Sequence, residues 1–346
     1  MSYQRDFDKR IKVGVIGAGS HCYRNVLPTM NYLPVEIKAI CDVNEAVAKK
    51  TAKQYGDCAY YTNTRDMYEK EDIEAVFISV GPQLHPMLTI EALDAGMHVW
   101  VEKPVAMRAD DVRQMIDHRG DRIVVVGLKK AFMPVTEKAI EIANSEKYGR
   151  LKSILAIYPM SIPQNGEQVL EERQFVNWLA NGVHPLAFLM AVGGSVASVT
   201  AHCREDGHGV FVMEFKNGVI GNFHLASGPL PMEAYCLYGE GWHLNIHNNN
   251  RIELQRGIPF EYGKTTSFIS PGDDSGAVVW EAQNCLATLE NKALFIQGFY
   301  SEMKYFCDCV LEKRTAEKGT LEFALEMMKV YEAGLLSKGK AIYLRS

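Results

Sequence analysis

Several things are missing from this chain, and each absence excludes a class of protein. No apolar run approaches the roughly 18 residues that a membrane-spanning helix needs, and the first ten residues, M-S-Y-Q-R-D-F-D-K-R, are charged where a secretory leader would be apolar. No membrane association is therefore expected, and the cytoplasm is the expected compartment. The eight cysteines stand singly, at 22, 41, 58, 203, 236, 285, 307 and 309, with no C-x-x-C pair and no matched zinc-ligand spacing. They read as reduced thiols, mostly buried. No metal is expected even where His202, Cys203 and His208 cluster, because strand alternation and a Gly-rich hairpin account for those residues. A net charge of −5 without a visible basic patch argues against a nucleic-acid partner, since phosphate neutralisation requires one. Repeats and low-complexity tracts are absent as well. What remains is small-molecule chemistry on a chain of 346 residues, 47% hydrophobic and long enough for two domains.

The first half alternates strand and helix patterns. I-K-V-G-V-I-G at 11 to 17 is a buried-strand pattern that runs into a glycine turn, G-A-G-S-H-C, with a helix expected from Tyr23 to Tyr32. Gly17 permits the tight turn, and Gly19 lets a pyrophosphate approach the amides and the positive dipole end of the helix; Ser20 and His21 share that turn. Cys22 stands where a third glycine is usual. The next strand, Val35 to Cys41, delivers Asp42, whose spacing suits a carboxylate that accepts both ribose hydroxyls of NAD and repels the 2′-phosphate of NADP. An N-cap role for the helix Asn44 to Tyr55 is compatible with that one. A helix at Thr64 to Glu69, a strand A-V-F-I-S-V at 75 to 80 that carries Ser79, and a helix from Leu84 to Ala95 follow, with Gly81, Pro82 and His85 in the intervening turn.

G-M-H-V-W-V-E-K-P at 96 to 104 then ends an apolar strand in two charges and a proline. Pro104 forbids further ladder pairing, so Glu102 and Lys103 fall at a strand's carboxyl end, the edge where open α/β sheets bind ligands. A lysine held there can donate a proton or hold a substrate hydroxyl. A helix from Ala109 to His118 and a strand I-V-V-V-G at 123 to 127 complete a doubly wound unit.

These residues resemble the Gfo/Idh/MocA oxidoreductases, which include glucose-fructose oxidoreductase and inositol dehydrogenases. The likeness rests on Gly17 and Gly19, Asp42, G-P-Q-L-H at 81 to 85, Glu102-Lys103-Pro104 and G-L-K-K-A-F at 127 to 132. It implies NAD as cofactor, held by Gly17, Gly19, Ser20, His21, Asp42, Ser79, Gly81, Pro82, His85 and Glu102, and a catalytic role for Lys103. Gly81 stands where threonine is common in the family, and Lys129 and Lys130 where an arginine is expected.

In the second half strands predominate: Leu151 to Tyr158, Val196 to Cys203, Val210 to Phe215, Val219 to Leu225, Ala234 to Tyr238, His243 to His247 and Arg251 to Leu254. Turn signals at 216 to 219, 239 to 241 and 248 to 250 join them into a large, mostly antiparallel sheet. A long surface loop is expected at Gly263 to Ala277, a lid or an oligomer arm. Helices with apolar faces at Phe299, Met303, Phe306 and Val310, and at Leu321, Leu325, Met328 and Leu335, are expected to pack on that sheet. A-I-Y-L at 341 to 344 reads as an edge strand. Between Gln174 and Val192, Asn177, Asn181 and His184 fall at helical spacing opposite Phe175, Leu179, Leu186 and Met190, while Pro185 requires a helix restart near Asn181. The family's pattern is D-x-x-x-H. His184 matches its histidine, an acid-base or hydroxyl-binding residue, whereas Ala180 occupies the aspartate position.

The expected architecture is thus a Rossmann domain at residues 1 to 127 and an α+β domain with a large open antiparallel sheet, covered by helices, at 128 to 346. The expected activity is hydride transfer between NAD and a secondary alcohol of a sugar, cyclic polyol or glycoside. Lys103, Asn181 and His184 would meet the substrate, with Lys103 and His184 as the catalytic pair. Two alternatives stand beside it: a redox-neutral enzyme that cleaves or isomerises glycosides through a transient ketone, and a nucleotide sensor without catalysis. A homodimer or homotetramer is expected, because one face of the large sheet would need a cover.

Overall fold

The computed structural model describes residues 7–228, 232–256, 262–264, 277–282 and 292–344. The chain divides into two compact units, Met1–Lys129 with Ala293–Met328, and Lys130–Lys292 with Lys329–Ser346. The units are therefore not the contiguous segments 1 to 127 and 128 to 346 that the sequence pattern suggests, since a late stretch of chain returns to the first.

In the first unit, β1 (Ile11–Ile16), β2 (Val35–Cys41), β3 (Ala59–Tyr61), β4 (Ala75–Ile78), β5 (His98–Glu102) and β6 (Val124–Gly127) form one sheet in the order β3-β2-β1-β4-β5-β6. Every pair is parallel. Strands β4 and β6 are buried at every residue. This is the continuous apolar character that a parallel sheet covered on both faces requires. The crossovers are α1 (Leu27–Met30), α2 (Glu45–Gln54), α3 (Thr64–Lys70), α4 (His85–Asp94) and α5 (Ala109–Arg119). Strand order reverses between β1 and β4, which puts a topological switch point at their carboxyl ends. The helix expected from Tyr23 opens instead with a π-helical turn at Cys22–Val26, a feature that often accompanies functional sites.

The second unit opens with α6 (Pro134–Ala143), β7 (Leu151–Pro159), α7 (Gly166–Glu171), α8 (Asn177–Ala180) and α9 (Val183–Gly193). Then come β8 (Val196–Cys203), β9 (Gly209–Phe215), β10 (Ile220–Ala226), β11 (Ala234–Gly239), β12 (Trp242–His247), β13 (Arg251–Gln255) and β14 (Ala277–Glu281). With β15 (Ile342–Tyr343) they make a nine-stranded sheet ordered β14-β13-β12-β11-β7-β10-β9-β8-β15, in which only β7 and β10 run parallel. The expected hairpins are present: Gly218 and Gly241 take φ of +86° and +76°, and Asn248 and Asn249 take +44° and +61°. These are left-handed conformations that Gly and Asn tolerate best. Strand β14 has no counterpart among the expected strands, and most of the Gly263 to Ala277 loop lies outside the described residues.

Alternation makes this sheet two-sided. Phe211, Phe223, Ala156, Tyr235, Ile246 and Ile252 are successive cross-strand partners and all are buried. Helix α9 lies on that face, with Phe188 stacked on Tyr235 at 3.9 Å between ring centroids. The neighbouring row, Val212, Asn222, Leu155, Cys236, Asn245, Glu253 and Val279, is half-buried or exposed throughout.

The chain then forms α10 (Lys292–Ile296), α11 (Phe299–Glu312) and α12 (Leu321–Leu336). The expectation that α11 packs on the second sheet is corrected: it lies against β1, β5 and β6 of the first, with Phe306 edge-on to Phe77 of β4 at 5.4 Å. The division between units falls within α12, after Met328.

Candidate active site

The carboxyl ends of β1, β2, β4, β5 and β6 gather most of the residues expected to bind a cofactor. Gly17 has φ +86°, and a Cβ there would lie 2.3 Å from the carbonyl oxygen of Ser79, so both conformation and space demand glycine. Its amide donates to the Cys41 carbonyl at 2.8 Å, and the Ser79 amide to Ile16 at 2.8 Å, which fixes the turn against both neighbouring strands. A Cβ on Gly19 would meet nothing within 4 Å. Gly19, Ser20 and His21 are exposed. This open, glycine-lined helix start offers unobstructed backbone to a phosphate.

Asp42 is held by the turn it faces. Its Oδ2 accepts from the Ala18 amide at 2.9 Å and its Oδ1 from the Asn44 amide at 2.9 Å. Asn44, not Asp42, caps α2 by accepting from Val47. A carboxylate has about four acceptor positions; two are filled here, and the others fit a ribose diol. The glycine turn and Asp42 together match the requirements of NAD.

One turn along the edge, Gly81 is half-buried and Pro82 buried. The Leu84 amide donates to the Gly81 carbonyl at 2.9 Å and closes the loop before α4. His85, expected among the cofactor-binding residues, lies beneath this edge. It is wholly buried, with Nδ1 2.7 Å from the Pro104 carbonyl, and burial lowers its pKa to about 4, so the neutral ring ties the 81 to 85 turn to the loop after β5.

Glu102 is buried at the end of β5, its Oε1 3.1 Å from Nε2 of His21. Burial opposes its ionisation, but the His21 bond, the charges of His21 and Lys103 and the Lys103 amide outweigh it and hold the carboxyl below its ordinary range. Lys103 is half-buried. Lys129, just after β6, sends its ammonium to Gln297 Oε1 at 2.8 Å and over the ring of Phe299 at 4.3 Å. Phe299 lies 5.9 Å from the His21 ring. The start of α11 thus supplies Phe299 and the wholly buried Glu302 to this edge. The sequence pattern names Phe299 only as part of an apolar helix face and does not single out Glu302. A signal existed, however: Glu302 interrupts an apolar stripe, three residues after Phe299 and four before Phe306.

In the second unit the helix restart required by Pro185 is present, with α8 ending at Ala180 and α9 beginning at Val183. The His184 amide donates to the Asn181 carbonyl at 3.0 Å, and the His184 side chain is buried. Asn181 is exposed and its side-chain amide donates to Asn177 Oδ1 at 2.6 Å. Phe175, expected to be buried, is 57% exposed. Lys130 is buried in a polar cluster, its ammonium 2.6 and 2.8 Å from the two oxygens of Glu233, which also accepts from Tyr235 and Asn249. The partners respond differently. Burial dominates on Lys130 and lowers its pKa, whereas on Glu233 the pairing with Lys130 outweighs burial and lowers the carboxyl. Two short charge-assisted bonds identify the ionised pair. Among the described residues, no group of three His, Cys, Asp or Glu side chains could hold a metal ion, and no helix is long and apolar enough to cross a membrane.

Comparison with known proteins agrees with this geometry. Residues 11–129 match the Gfo/Idh/MocA family, described as an oxidoreductase family with an NAD-binding Rossmann fold. D-xylose 1-dehydrogenase (NADP(+)) 2 of Haloferax volcanii is 28% identical over 160 residues, 45% of this chain and 48% of the relative. Inositol 2-dehydrogenase/D-chiro-inositol 3-dehydrogenase of Shouchella clausii is 32% identical over 127 residues, 35% of this chain and 37% of the relative. The chain thus spans less than half the length of these curated relatives. In fold the likeness extends further: an oxidoreductase from Agrobacterium radiobacter, solved with NAD+, L-tartaric acid and magnesium, aligns over 97% of this chain and 98% of its own with a TM-score of 0.78 at 16% identity. Residues 11–129, with the glycine turn and the E-K-P strand end, thus form an NAD-binding Rossmann domain of the Gfo/Idh/MocA oxidoreductase family.

Proposed function

We propose that the protein is an NAD-dependent oxidoreductase acting on a secondary alcohol of a sugar, cyclic polyol or glycoside. The observation that carries this reading is the carboxyl edge of the first sheet, where an open glycine turn, the anchored Asp42 and the pair Glu102-Lys103 converge. NAD, when bound, would supply the hydride acceptor. Gly17 and Gly19 leave room for its phosphates, and Asp42 accepts from the adenosine ribose. The Lys103 ammonium holds and polarises the reacting oxygen, which favours the alkoxide character that hydride loss demands. His184 takes the alcohol's proton in oxidation and returns it in reduction, while Asn181 hydrogen-bonds a substrate hydroxyl. The names of the relatives above, a xylose and an inositol dehydrogenase, support a polyhydroxylated substrate. We also propose that the second unit forms the contact of a homo-oligomer.

The test is mass spectrometry of the nucleotide that co-purifies, followed by a panel of sugars and polyols read at the absorbance of reduced nicotinamide. Bound NAD and turnover on one class of polyol are expected. A protein that binds no nicotinamide nucleotide would overturn the reading. One that binds NAD tightly yet reduces none of it with any polyol would point to the sensor alternative.

A further inference from the structure

The side chain of His21 is committed at both of its ring nitrogens. Nε2 lies 3.1 Å from Oε1 of Glu102, and Nδ1 lies 3.3 Å from Nδ2 of Asn25, four residues on in the π-helical turn. An amide nitrogen can only donate. Nδ1 of His21 therefore accepts from Asn25, the ring carries its proton on Nε2, and that N–H donates to the Glu102 carboxylate, a charge-assisted bond. The ring also meets Phe299 of α11 at 5.9 Å between centroids, and Phe299 in turn lies under the Lys129 ammonium at 4.3 Å. Residues from four segments of the first unit thus converge on one exposed imidazole.

Glu102 is equally confined. Its carboxyl is buried, with Oε1 taken by His21. Oε2 is shut off from solvent and lies toward β6, where a Cβ on Gly127 would fall 2.6 Å from it and 2.7 Å from the Trp100 ring. A side chain at position 127 would displace the carboxyl, so glycine there makes its place. Neither oxygen of Glu102 is open to a ribose or a phosphate, and neither nitrogen of His21 is left to donate to one. What the bond joins is two parts of the chain. His21 follows Gly19 by two residues in the turn after β1, whereas Glu102 ends β5, which lies on the far side of β4 from β1. The bond therefore reaches across the switch point. Gly19 has nothing around it to hold it, since a Cβ there would meet no atom within 4 Å, and glycine backbone has the most freedom to lose.

We propose that His21 is a positioning residue: held by Asn25 and Phe299, its imidazole ties the glycine turn after β1 to the carboxyl end of β5 and keeps the backbone of residues 18 to 21 set for the nucleotide. Glu102 then serves His21 and not the cofactor. The assignment rests on the reading of this edge as an NAD site, but the tie itself can be measured without NAD.

The experiment has two arms on the full chain. In the first, long-range proton–nitrogen spectra of histidine-labelled protein at pH 8 report which ring nitrogen of His21 is protonated, with His21→Gln identifying the signal. A proton on Nε2 and a bare Nδ1 are expected; a proton on Nδ1 overturns the proposal. In the second, NAD is titrated into wild type, His21→Ala, Glu102→Ala and the double variant. Each single variant is expected to bind about tenfold more weakly, on the scale of one charge-assisted hydrogen bond, and the double variant no more weakly than the worse of the two. His21→Gln, which keeps a donor for Glu102, is expected within about threefold of wild type. Unchanged affinity in His21→Ala overturns the proposal. So do additive losses in the double variant, because a His21 that met the cofactor directly would still matter without Glu102. Should Glu102→Ala fail to fold, the contrast between His21→Ala and His21→Gln decides together with the spectrum. Should wild type itself bind no NAD, the functional reading falls, while the spectrum still tests the tie.

Discussion

The backbone amide of Ala18 donates to Oδ2 of Asp42 across 2.9 Å, and this bond joins the turn after β1 to the end of β2. Asp42 is therefore oriented by two backbone amides before any cofactor arrives, and on the proposed reading its carboxylate would meet the adenosine ribose and repel a 2′-phosphate. NAD should bind at least tenfold tighter than NADP, a difference of about 1.4 kcal/mol. Replacing Asp42 with Ser together with Val43→Arg should narrow the gap, because Val43 is 93% exposed and an arginine there has room to reach a phosphate. Equal affinities for the two nucleotides in the wild-type protein would refute this.

Lys103→Met should lower turnover by about a hundredfold or more while NAD affinity changes little, the usual scale for removing a positioned proton-transfer group. Steady-state kinetics beside NAD titration checks it. Near-normal turnover would remove Lys103 from the chemistry.

His184 has Ala180, not a carboxylate, four residues before it. The Asn181 side chain pairs with Asn177, and its backbone carbonyl accepts from the His184 amide. If His184 is the base, activity rises as pH rises through its pKa. A neighbouring anion raises that pKa. Ala180→Asp should therefore move the acidic limb of the rate profile to higher pH, and His184→Ala should abolish the limb. Rate profiles that coincide for all three proteins would reduce His184 to a packing residue.

Lys130 and Glu233 make a buried pair whose partners cannot be removed one at a time without cost. Lys130→Met should destabilise the protein by about 3–5 kcal/mol in urea unfolding, and adding Glu233→Met should recover much of that loss. Because Glu233 has a lowered pKa in the folded state, its contribution is complete above the ordinary Glu range of about 4.3 and is lost as pH falls toward the folded value. The double variant should show a shallower loss of stability below that range. Equal acid sensitivity in both proteins would contradict the assignment.

The half-exposed row from Val212 through Leu155 to Val279 mixes apolar side chains with Asn222, Asn245 and Glu253, and Ile220 and Tyr238 are each 41% exposed on the same side. A dimer or tetramer is expected by light scattering at micromolar concentration. A monomer there would leave this face to some other cover.

Much of this architecture was legible in the sequence because its signals are local. Alternation places seven strands of the second sheet to within a residue or so, and each expected hairpin has its Gly or Asn in a left-handed conformation. Five strands of the first sheet follow from strand and helix alternation with its glycine turn, whereas the three-residue β3 was not among the expected strands. Three further features were not legible, each for a physical reason. The apolar stripe of α11 declares that one face is buried but not which sheet buries it. Phe175 was placed by extending a helical period across a break that ends the period. Glu302 lies 200 positions from Glu102, and only the fold brings it within reach of that charge.

The return of residues 293–328 to the first unit makes that unit discontinuous along the chain. During synthesis the six parallel strands emerge first, yet Phe77 and the faces of β1, β5 and β6 that α11 covers wait until some 160 further residues have been made. The nine-stranded sheet is then nearly complete before the nucleotide-binding unit is closed. A fragment ending at Lys129 should consequently expose a wide apolar face and aggregate, whereas the same fragment joined by a short linker to residues 293–328 should stay soluble.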